Sequence, residues 1–277
     1  MANTTTINSE LFTNLLVQSQ YAMYENSIAR QLATVFDYPT NSGKIVQIPV
    51  WGSLNASKPG EGVAPSAQDT NTTSKTITLE EHVVYAQVTD FLRDSAQEDV
   101  ITSLANQSGL ALAEAIDKEF ISYFATVTNS IGTAGSDNTA VDIMKAAATI
   151  RNNKYSGPLF AVLNPKQAYA IKAALTATTA YTANTNVGNN ILSNQFIGNL
   201  AGVQIYESAL IVPDGSDDST GCVFAKEAFG LAQRGGIAMG TQRQETTRST
   251  DVVMTAVAGA TLIRPEFAVK IIGDSVL

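Results

Sequence analysis

The longest regular pattern in the chain runs from about Ser95 to Val127, where apolar residues recur at steps of three and four. This spacing places them on one face of a helix. They are Leu104, Leu112, Ile116, Phe120, Tyr123 and Val127. The stretch opens with the capping-box sequence Ser95-Ala-Gln-Glu98. It therefore predicts one helix of roughly 50 Å, interrupted at Ser108 and at Gly109, which costs about 1 kcal/mol relative to alanine.

Alternating apolar positions predict an extended hairpin ahead of this helix. A first strand covers Lys44–Trp51, and Pro49 marks it as an edge strand because proline lacks an N–H donor. A return strand covers Lys75–Val88. The intervening Gly52–Ser74 is rich in small and polar residues, and loops longer than about 12–15 residues are mostly functional or disordered. Since an isolated hairpin is marginally stable, this one either folds back on the core or is completed by another molecule.

The first 43 residues predict an amphipathic helical arm that ends near Tyr38-Pro39. Its apolar positions are Leu11, Phe12, Leu15, Leu16, Ile28, Leu32 and Phe36. The arm either packs against its own core or lies on a neighbouring subunit, and the apolar face fits both alternatives equally.

The rest of the chain predicts a mixed α/β or α+β subdomain followed by strands. Gly132 opens a polar break and suits the stop of the long helix. A helix, a buried strand and a second helix follow in 140–175, with Asn164 as the cap of the second helix and Gln167 completing a capping box. A Thr, Ala and Asn tract at 176–194 predicts an exposed loop. The predicted C-terminal strands are 222–225, 237–247, 251–258 and 266–272.

Composition narrows the function. The 277 residues carry a net charge of −8, and the basic residues are scattered singly, which argues against specific nucleic-acid binding. An acidic surface would instead not adhere to DNA lying beside it. No apolar run approaches the length of a membrane span, and the first residues do not resemble a signal peptide. Cys222 is the sole cysteine, which fits a reducing cytoplasm.

No group of residues predicts catalysis, a cofactor or a metal. His82 is the only histidine and cannot form a His-rich metal site, and no nucleophile motif links it to Cys222. The glycine-rich stretch 235–240 has the wrong spacing for a phosphate loop. The acidic turn 214–218 lacks the glycine and distal glutamate of a calcium-binding loop. We therefore predict a protein that is not an enzyme and has no cofactor.

The order of these elements resembles the major capsid proteins of tailed bacteriophages with the Hong Kong 97-type fold. The resemblance covers nearly the whole chain, although each matching string is short. The strings are Thr89-Asp-Phe-Leu-Arg-Asp-Ser95, Phe160-Ala-Val-Leu-Asn-Pro165, Ile197-Gly-Asn-Leu-Ala-Gly-Val-Gln-Ile-Tyr206 and Arg264-Pro-Glu-Phe-Ala-Val-Lys270.

The resemblance implies an α+β, Hong Kong 97-like fold. It places an N-terminal arm at 1–43 and an extended β-hairpin loop at 44–89. A peripheral domain with the long spine helix would comprise 90–130 and 222–277, and an axial domain would comprise 131–221. In a spine helix that bends as a shell expands, the Ser108-Gly109 interruption would be a weak point.

The resemblance also implies a function. The subunits would form pentamers and hexamers that close into an icosahedral shell enclosing double-stranded DNA, in a virion assembled in the cytoplasm of a bacterial host. The expected contacts between subunits are Val50, Trp51, Leu54, Lys58 and Val63 in the extended loop, and Leu11, Phe12, Leu15 and Leu16 in the arm. Further partners would be a portal protein at one vertex, a decoration or cement protein, and the packaged DNA without sequence-specific binding.

Two family variations bear on this chain. Some members carry an N-terminal scaffolding extension, whereas this sequence reaches the fold soon after Met1; we therefore expect a separate scaffolding protein. Some members cross-link a loop lysine to a neighbouring asparagine, but no pattern identifies a partner for Lys58. The alternatives are an encapsulin-like shell of a bacterial nanocompartment and a small α/β hydrolase or transferase, which would need clustered titratable groups.

Overall fold

Two β-sheets pack around one long helix, and a two-stranded hairpin forms a third, separate sheet. The computed structural model describes residues 16–23, 27–39, 43–52, 54–62, 64, 66–68, 72–95, 100–177 and 199–276. Leu11, Phe12, Leu15, Val63, the 96–98 part of the predicted capping box and most of the 176–194 tract lie outside these residues.

The first sheet has four strands in the order β1, β10, β11, β4. These are β1 (Thr34–Asp37), β10 (Phe229–Gln244), β11 (Ser249–Leu262) and β4 (Glu80–Thr89). β1 runs parallel to β10, and the other neighbours are antiparallel. The glycine-rich stretch 235–240 belongs to β10, where the register shifts between Arg234 and Ala238 and Gly235 takes a φ of +63°. Gly235 and Gly236 thus lie at a bulge in the strand, whereas Gly240 pairs in regular register with Val253.

The second sheet has six strands in the order β5, β12, β9, β6, β8, β7. These are β5 (Ser130–Ile131), β12 (Ala268–Asp274), β9 (Asp218–Ala225), β6 (Leu159–Leu163), β8 (Val203–Glu207) and β7 (Asn199–Leu200). Strands β9 and β12 of this sheet fall within residues 222–277, which the predicted division groups with the spine helix, and that division stays a prediction. Alternation identifies a strand without telling which sheet it joins.

The predicted helix–strand–helix segment is confirmed beside this sheet as α5 (Ala140–Asn152), β6 and α6 (Pro165–Ala177). Asn164 caps α6 as expected, since its side-chain oxygen accepts the N–H of Lys166 at 2.9 Å. Gln167 accepts the N–H of Asn164 at 3.4 Å and completes the box.

The spine helix is confirmed as α4 (Val100–Ser122), which continues as a 3₁₀ turn over Tyr123–Thr126. A separate short helix, α3 (Asp90–Ser95), lies ahead of it and ends at the predicted start of the spine helix. The helix stop at Gly132 is wrong: this residue follows β5 and takes a φ of +91° there.

Four phenylalanines join the spine helix to both sheets. Phe120 lies in α4, Phe124 in the 3₁₀ turn, Phe224 in β9 and Phe229 in β10. All four are buried, and their ring centroids lie 5.0 to 5.8 Å apart. Most of these pairs adopt edge-to-face geometry, which aromatic quadrupoles favour. The apolar stripe predicted on the helix is therefore the centre of the core.

The N-terminal segment packs on the body of its own subunit. A helix that includes residues 16–23 (α1) and the helix α2 (Ile28–Leu32) precede β1. Met23, Ala29 and Leu32 are buried in the main core, which favours the own-core alternative for this part of the arm. The predicted continuation of the helix to Tyr38 is wrong, because residues 34–37 pair with β10. Their β-branched and aromatic side chains fit a sheet edge equally well.

Gly109 allows α1 to approach the spine helix closely. A Cβ at this position would lie 2.4 Å from the carbonyl oxygen of Ser19 and 2.8 Å from the Cβ of Ala22. Ser108 is buried at the same place. The interruption of the apolar stripe thus has a packing reason within the subunit.

We expect Gly109→Ala to lower the free energy of unfolding by about 1–2 kcal/mol, because overpacking costs more than the gain in helix propensity. Chemical denaturation of the subunit measures this change. Asn106→Ala, at an exposed position of the same helix, serves as the control and should leave stability unchanged or slightly raised. Equal stability of the two variants would show that α1 does not hold this position against the spine helix.

The hairpin consists of β2 (Ile45–Trp51) and β3 (Thr72–Thr78), paired only with each other among the described strands. The single predicted return strand is therefore two strands, β3 and β4, separated at Leu79. The base of the hairpin is anchored: Val46, Ile77 and Leu79 are buried against Ala232 of β10.

Candidate assembly surface

The outer half of the hairpin exposes large apolar side chains. Trp51 at the end of β2 is 61% exposed, and Leu54 in the loop is 62% exposed. Val50 is half-buried and Lys58 is exposed. These four residues belong to one exposed part of the chain, as predicted from the sequence, while Val63 lies outside the described residues. Whether they contact another subunit remains a prediction.

Hydrogen bonds hold the hairpin at both ends, between backbone groups at the base and between the Gln68 side chain and the Asn55 backbone in the loop. At the base, the N–H of Leu79 donates to the carbonyl of Lys44 at 2.9 Å. In the loop, the N–H of Asn55 donates to Oε1 of Gln68 at 2.9 Å, and Nε2 of Gln68 donates to the Asn55 carbonyl at 2.5 Å. These two hydrogen bonds form a clamp that joins the two sides of the loop. No local sequence pattern points to this clamp, because 13 positions separate its partners.

The hairpin differs from the body in charge. Residues 44–78 contain Lys44, Lys58 and Lys75 against Glu61 and Asp69, a net charge of +1. The rest of the chain has 14 basic and 23 acidic residues and carries −9. A neighbouring body would therefore attract the hairpin weakly, within the Debye length of about 8–10 Å.

Asp117 anchors the N-terminal segment and was missed from the sequence. This side chain of α4 is 3% exposed, and its carboxylate accepts the Ser27 hydroxyl at 2.8 Å and the N–H groups of Ile28 and Ala29 at 2.8 and 2.9 Å. It thus caps α2 from another helix. Burial raises the pKa of Asp117, while the three donors act in the opposite direction.

The predicted arm residue Leu16 is half-buried against the main core, whereas Leu11, Phe12 and Leu15 are outside the described part of the chain. Of the four predicted arm residues, only Leu16 thus has a described position, and it lies on its own subunit.

A second exposed apolar site lies at the far end of β4 from the hairpin. Phe91 and Leu92 of α3 are 82% and 46% exposed. The first residue of α3, Asp90, accepts two hydrogen bonds from the guanidinium of Arg243, both of 2.7 Å. This bidentate pair fixes α3 to the end of β10.

The residues considered for chemistry are separated in the fold. His82 Nε2 lies 3.1 Å from the Glu119 carboxylate, between the first sheet and the spine helix. Cys222 is buried in β9 of the second sheet, and desolvation raises the pKa of its thiol. The carboxylate of Asp214 accepts the N–H groups of Ser216 and Asp218 within its own turn.

Among the residues that the structure describes, no cluster of three His, Cys, Asp or Glu side chains is placed to hold a metal ion. Within the same described ranges, no helix is both long and apolar enough to span a membrane.

Solved capsid structures share this fold. The capsid protein of cyanophage P-SCSP1u matches with a TM-score of 0.71 at 18% identity, over 90% of this chain and 89% of the other. The head of Helicobacter pylori bacteriophage KHP40 matches with a TM-score of 0.71 at 13% identity, over 91% and 92%. Mycobacterium phage Che8 matches with a TM-score of 0.66 at 19% identity, over 83% and 85%. The fold is therefore Hong Kong 97-like.

Comparison with curated proteins returns no significant relative. A sequence profile of the family described as "Phage capsid protein" matches residues 72–271. The chain belongs to this family. It is a structural major capsid protein of the tailed-phage type, and its copies assemble into a shell. The family match favours neither the encapsulin-like shell nor the hydrolase alternative.

The phage capsid protein thus carries its candidate contact residues on the hairpin and at α3. The sequence pointed to the hairpin because a long polar loop between two alternating strands is unusual. Phe91 lies within one of the strings that carried the resemblance, yet nothing in the sequence distinguished its exposure from burial.

Proposed function

We propose that copies of this phage capsid protein form pentamers and hexamers that close into an icosahedral shell around double-stranded DNA. The observation that supports this most directly is the hairpin, whose outer half exposes Trp51 and Leu54 beyond the anchored base. Two strands alone are marginally stable in water. We therefore expect another subunit to bury these exposed apolar side chains. Head-to-tail contacts of this kind close into rings when the rotation between subunits permits.

The proposal assigns Val50, Trp51, Leu54, Lys58 and Val63 to contacts with the neighbouring subunit in a ring. It assigns Leu11, Phe12 and Leu15 to an arm that reaches a neighbour, while Leu16 stays on its own subunit. A side chain such as Trp51 buries a large apolar area when it is covered, which makes the hairpin the principal source of contact energy.

The two sheets suggest a division into domains. In the proposed arrangement, the four-stranded sheet and α4 form a peripheral domain, and the six-stranded sheet with α5 and α6 forms an axial domain. Strand pairing supports moving β9 and β12 from the peripheral to the axial domain. The four-phenylalanine cluster would hold the two domains together, since its rings contact one another across their boundary.

The proposed partners are a separate scaffolding protein during assembly, a portal protein at one vertex and a decoration or cement protein. We place assembly in the cytoplasm of a bacterial host and assign the protein no catalytic role. We propose that the shell encloses the DNA without binding a specific sequence. The net charge of −8 supports this, since an acidic inner surface repels the phosphate backbone.

Electron microscopy of the purified protein, combined with particle mass and nucleic-acid content, tests this proposal. The expected result is closed shells with five-fold and six-fold capsomers, and DNA in particles from infected cells. A monodisperse monomer that stays monomeric at high concentration contradicts shell formation. Shells that contain a protein cargo and no DNA contradict the proposed content.

A further inference from the structure

Basic residues that lie apart in the sequence come together on one side of the fold. Residues 143–206 contain five basic residues and neither aspartate nor glutamate, and therefore carry +5. The rest of the chain has 12 basic and 25 acidic residues and carries −13. The basic stretch includes most of α5, all of α6 and the strands β6, β7 and β8. One of its five cations, Lys172, is paired with Glu207 at 2.6 Å. The other four are exposed.

Helices α5 and α6 cover the same face of the six-stranded sheet. Ile143 of α5 and Ile171 of α6 are buried in one cluster with Leu159 and Leu163 of β6. The opposite face of the sheet packs against the spine helix, through Phe224. Because α5 and α6 also contact each other, their outward sides form one surface. We call this surface the helical face, and its principal residues are Val141, Met144, Lys145, Arg151, Lys166 and Tyr169.

The helical face keeps positive charge that its own subunit does not neutralise. Lys145 lies 3.4 Å from Asp142, but its side chain is 62% exposed, and the carboxylate of Asp142 is also held in the cap of α5. Arg151, Lys166 and the adjacent Lys154 take part in none of the described ion pairs. A cluster of exposed cations on a subunit that is otherwise acidic attracts a partner of negative charge.

Apolar side chains are exposed among these cations. On α5, Val141 and Met144 are 53% and 39% exposed, and on α6 Tyr169 is 58% exposed. Residues three or four apart lie on one side of a helix, so Val141 and Met144 line up with Lys145, and Tyr169 lines up with Lys166. Tyrosine and methionine are enriched where proteins contact each other. A phosphate backbone needs cations alone, so this mixture of apolar and basic groups favours a protein as the partner.

We propose that the helical face binds an acidic amphipathic helix of a second protein. The apolar side of that helix covers Met144 and Tyr169, and carboxylates on its flanks meet Lys145, Arg151 and Lys166, in the mode in which a helix lies in a groove. Opposite charges speed the encounter and fix the orientation, whereas two helical faces repel each other. The inference goes beyond the proposed shell, because it concerns a different protein and not the contact between copies.

Fluorescence anisotropy with the purified full-length protein tests the inference. The probe is a labelled synthetic helix of about 20 residues, with leucine along one side, glutamate on both flanks and alanine elsewhere. We expect Lys145→Glu combined with Lys166→Glu to weaken its binding at least about tenfold, and Lys118→Glu to change it less than about twofold. Lys118 lies on the spine helix and is the matched control, because its side chain is also 62% exposed and pairs with a carboxylate of its own helix.

Substituting the apolar residues separates an amphipathic partner from a merely acidic one. Met144→Ser combined with Tyr169→Ser removes apolar area and keeps every charge, and should weaken the probe at least about fivefold. Both side chains are exposed, so the thermal midpoint of the subunit should stay within about 3 °C of the unmodified chain. Unchanged binding after this pair of substitutions overturns the inference.

Three further results also overturn it. The first is that the acidic probe does not bind, or that Lys118→Glu weakens it as much as the paired substitution of Lys145 and Lys166. The second is that a DNA duplex of about 20 base pairs binds more tightly than the probe and is lost with the same two lysines, which assigns the helical face to nucleic acid. The third is that this paired substitution abolishes particles, which assigns the face to contacts between copies. Absence of particles from the unmodified chain contradicts only the proposed function, since binding of the probe is measured on the subunit as well.

Discussion

Replacing Asp117 by alanine is expected to lower the free energy of unfolding by about 3 kcal/mol, since each hydrogen bond to a charged group contributes about 1.5–3 kcal/mol and loss of the buried charge offsets part of this sum. The substitution leaves the Ser27 hydroxyl and the N–H groups of Ile28 and Ala29 without their acceptor. Thermal unfolding of the isolated subunit should show the midpoint falling by about 6–12 °C.

The control lies three residues earlier in the same helix. Glu114 is exposed and contacts only Lys118 among the described ion pairs, at 3.9 Å. Because exposed pairs of this kind contribute little, Glu114→Ala should change the free energy of unfolding by less than about 0.5 kcal/mol. Asp117→Asn, which keeps an acceptor oxygen without the charge, should fall between the two. Equal effects from Asp117→Ala and Glu114→Ala would show that the cap does not hold the N-terminal segment.

Shortening the hairpin is expected to abolish shells while leaving the subunit folded. Trp51 and Thr72 face each other in the register of β2 and β3, so residues 52–71 can be replaced by the dipeptide Asn-Gly, which favours a tight hairpin turn. The buried base at Val46, Ile77 and Leu79 stays intact. The thermal midpoint should therefore remain within about 3 °C of the unmodified chain, while sedimentation and electron microscopy should show no closed particles.

A full-length variant with Glu61→Gln, an exposed position in the same loop, controls for any alteration of the loop and should assemble normally. Normal particles from the shortened variant would mean that the outer hairpin is not a contact between subunits. Loss of the cooperative melting transition would mean instead that the loop stabilises its own subunit.

Local sequence patterns correctly predicted the helices and caps, whose stability depends on residues close together in the sequence. The apolar stripe through Leu112, Ile116 and Phe120 is the buried face of α4. Asn164 and Gln167 form the cap at the start of α6. Helix periodicity and capping involve positions three or four residues apart, and both are visible in a single sequence.

The sequence pattern did not show which sheet each strand joins or which strands are its neighbours. Residues 34–37 fit a helix or a strand, and pairing with β10 selected the strand. β12 alternates as a strand should, but its neighbours β5 and β9 assign it to the six-stranded sheet. Strand pairing depends on partners far away in the chain. The pattern of apolar and polar residues therefore leaves more than one arrangement open, and tertiary contacts select one of them.

The sequence by itself determined the order of the elements, the spine helix, the long loop of the hairpin and the acidic balance, which together supported the resemblance to phage capsid proteins. The tertiary structure alone decided that Gly109 is a contact between helices, that Asp117 caps a helix almost 90 positions away, and that β4 lies at an edge of its sheet among the described strands. The physical reason is the same in each case: burial and pairing are properties of distant residues brought together, and no spacing within the chain encodes them.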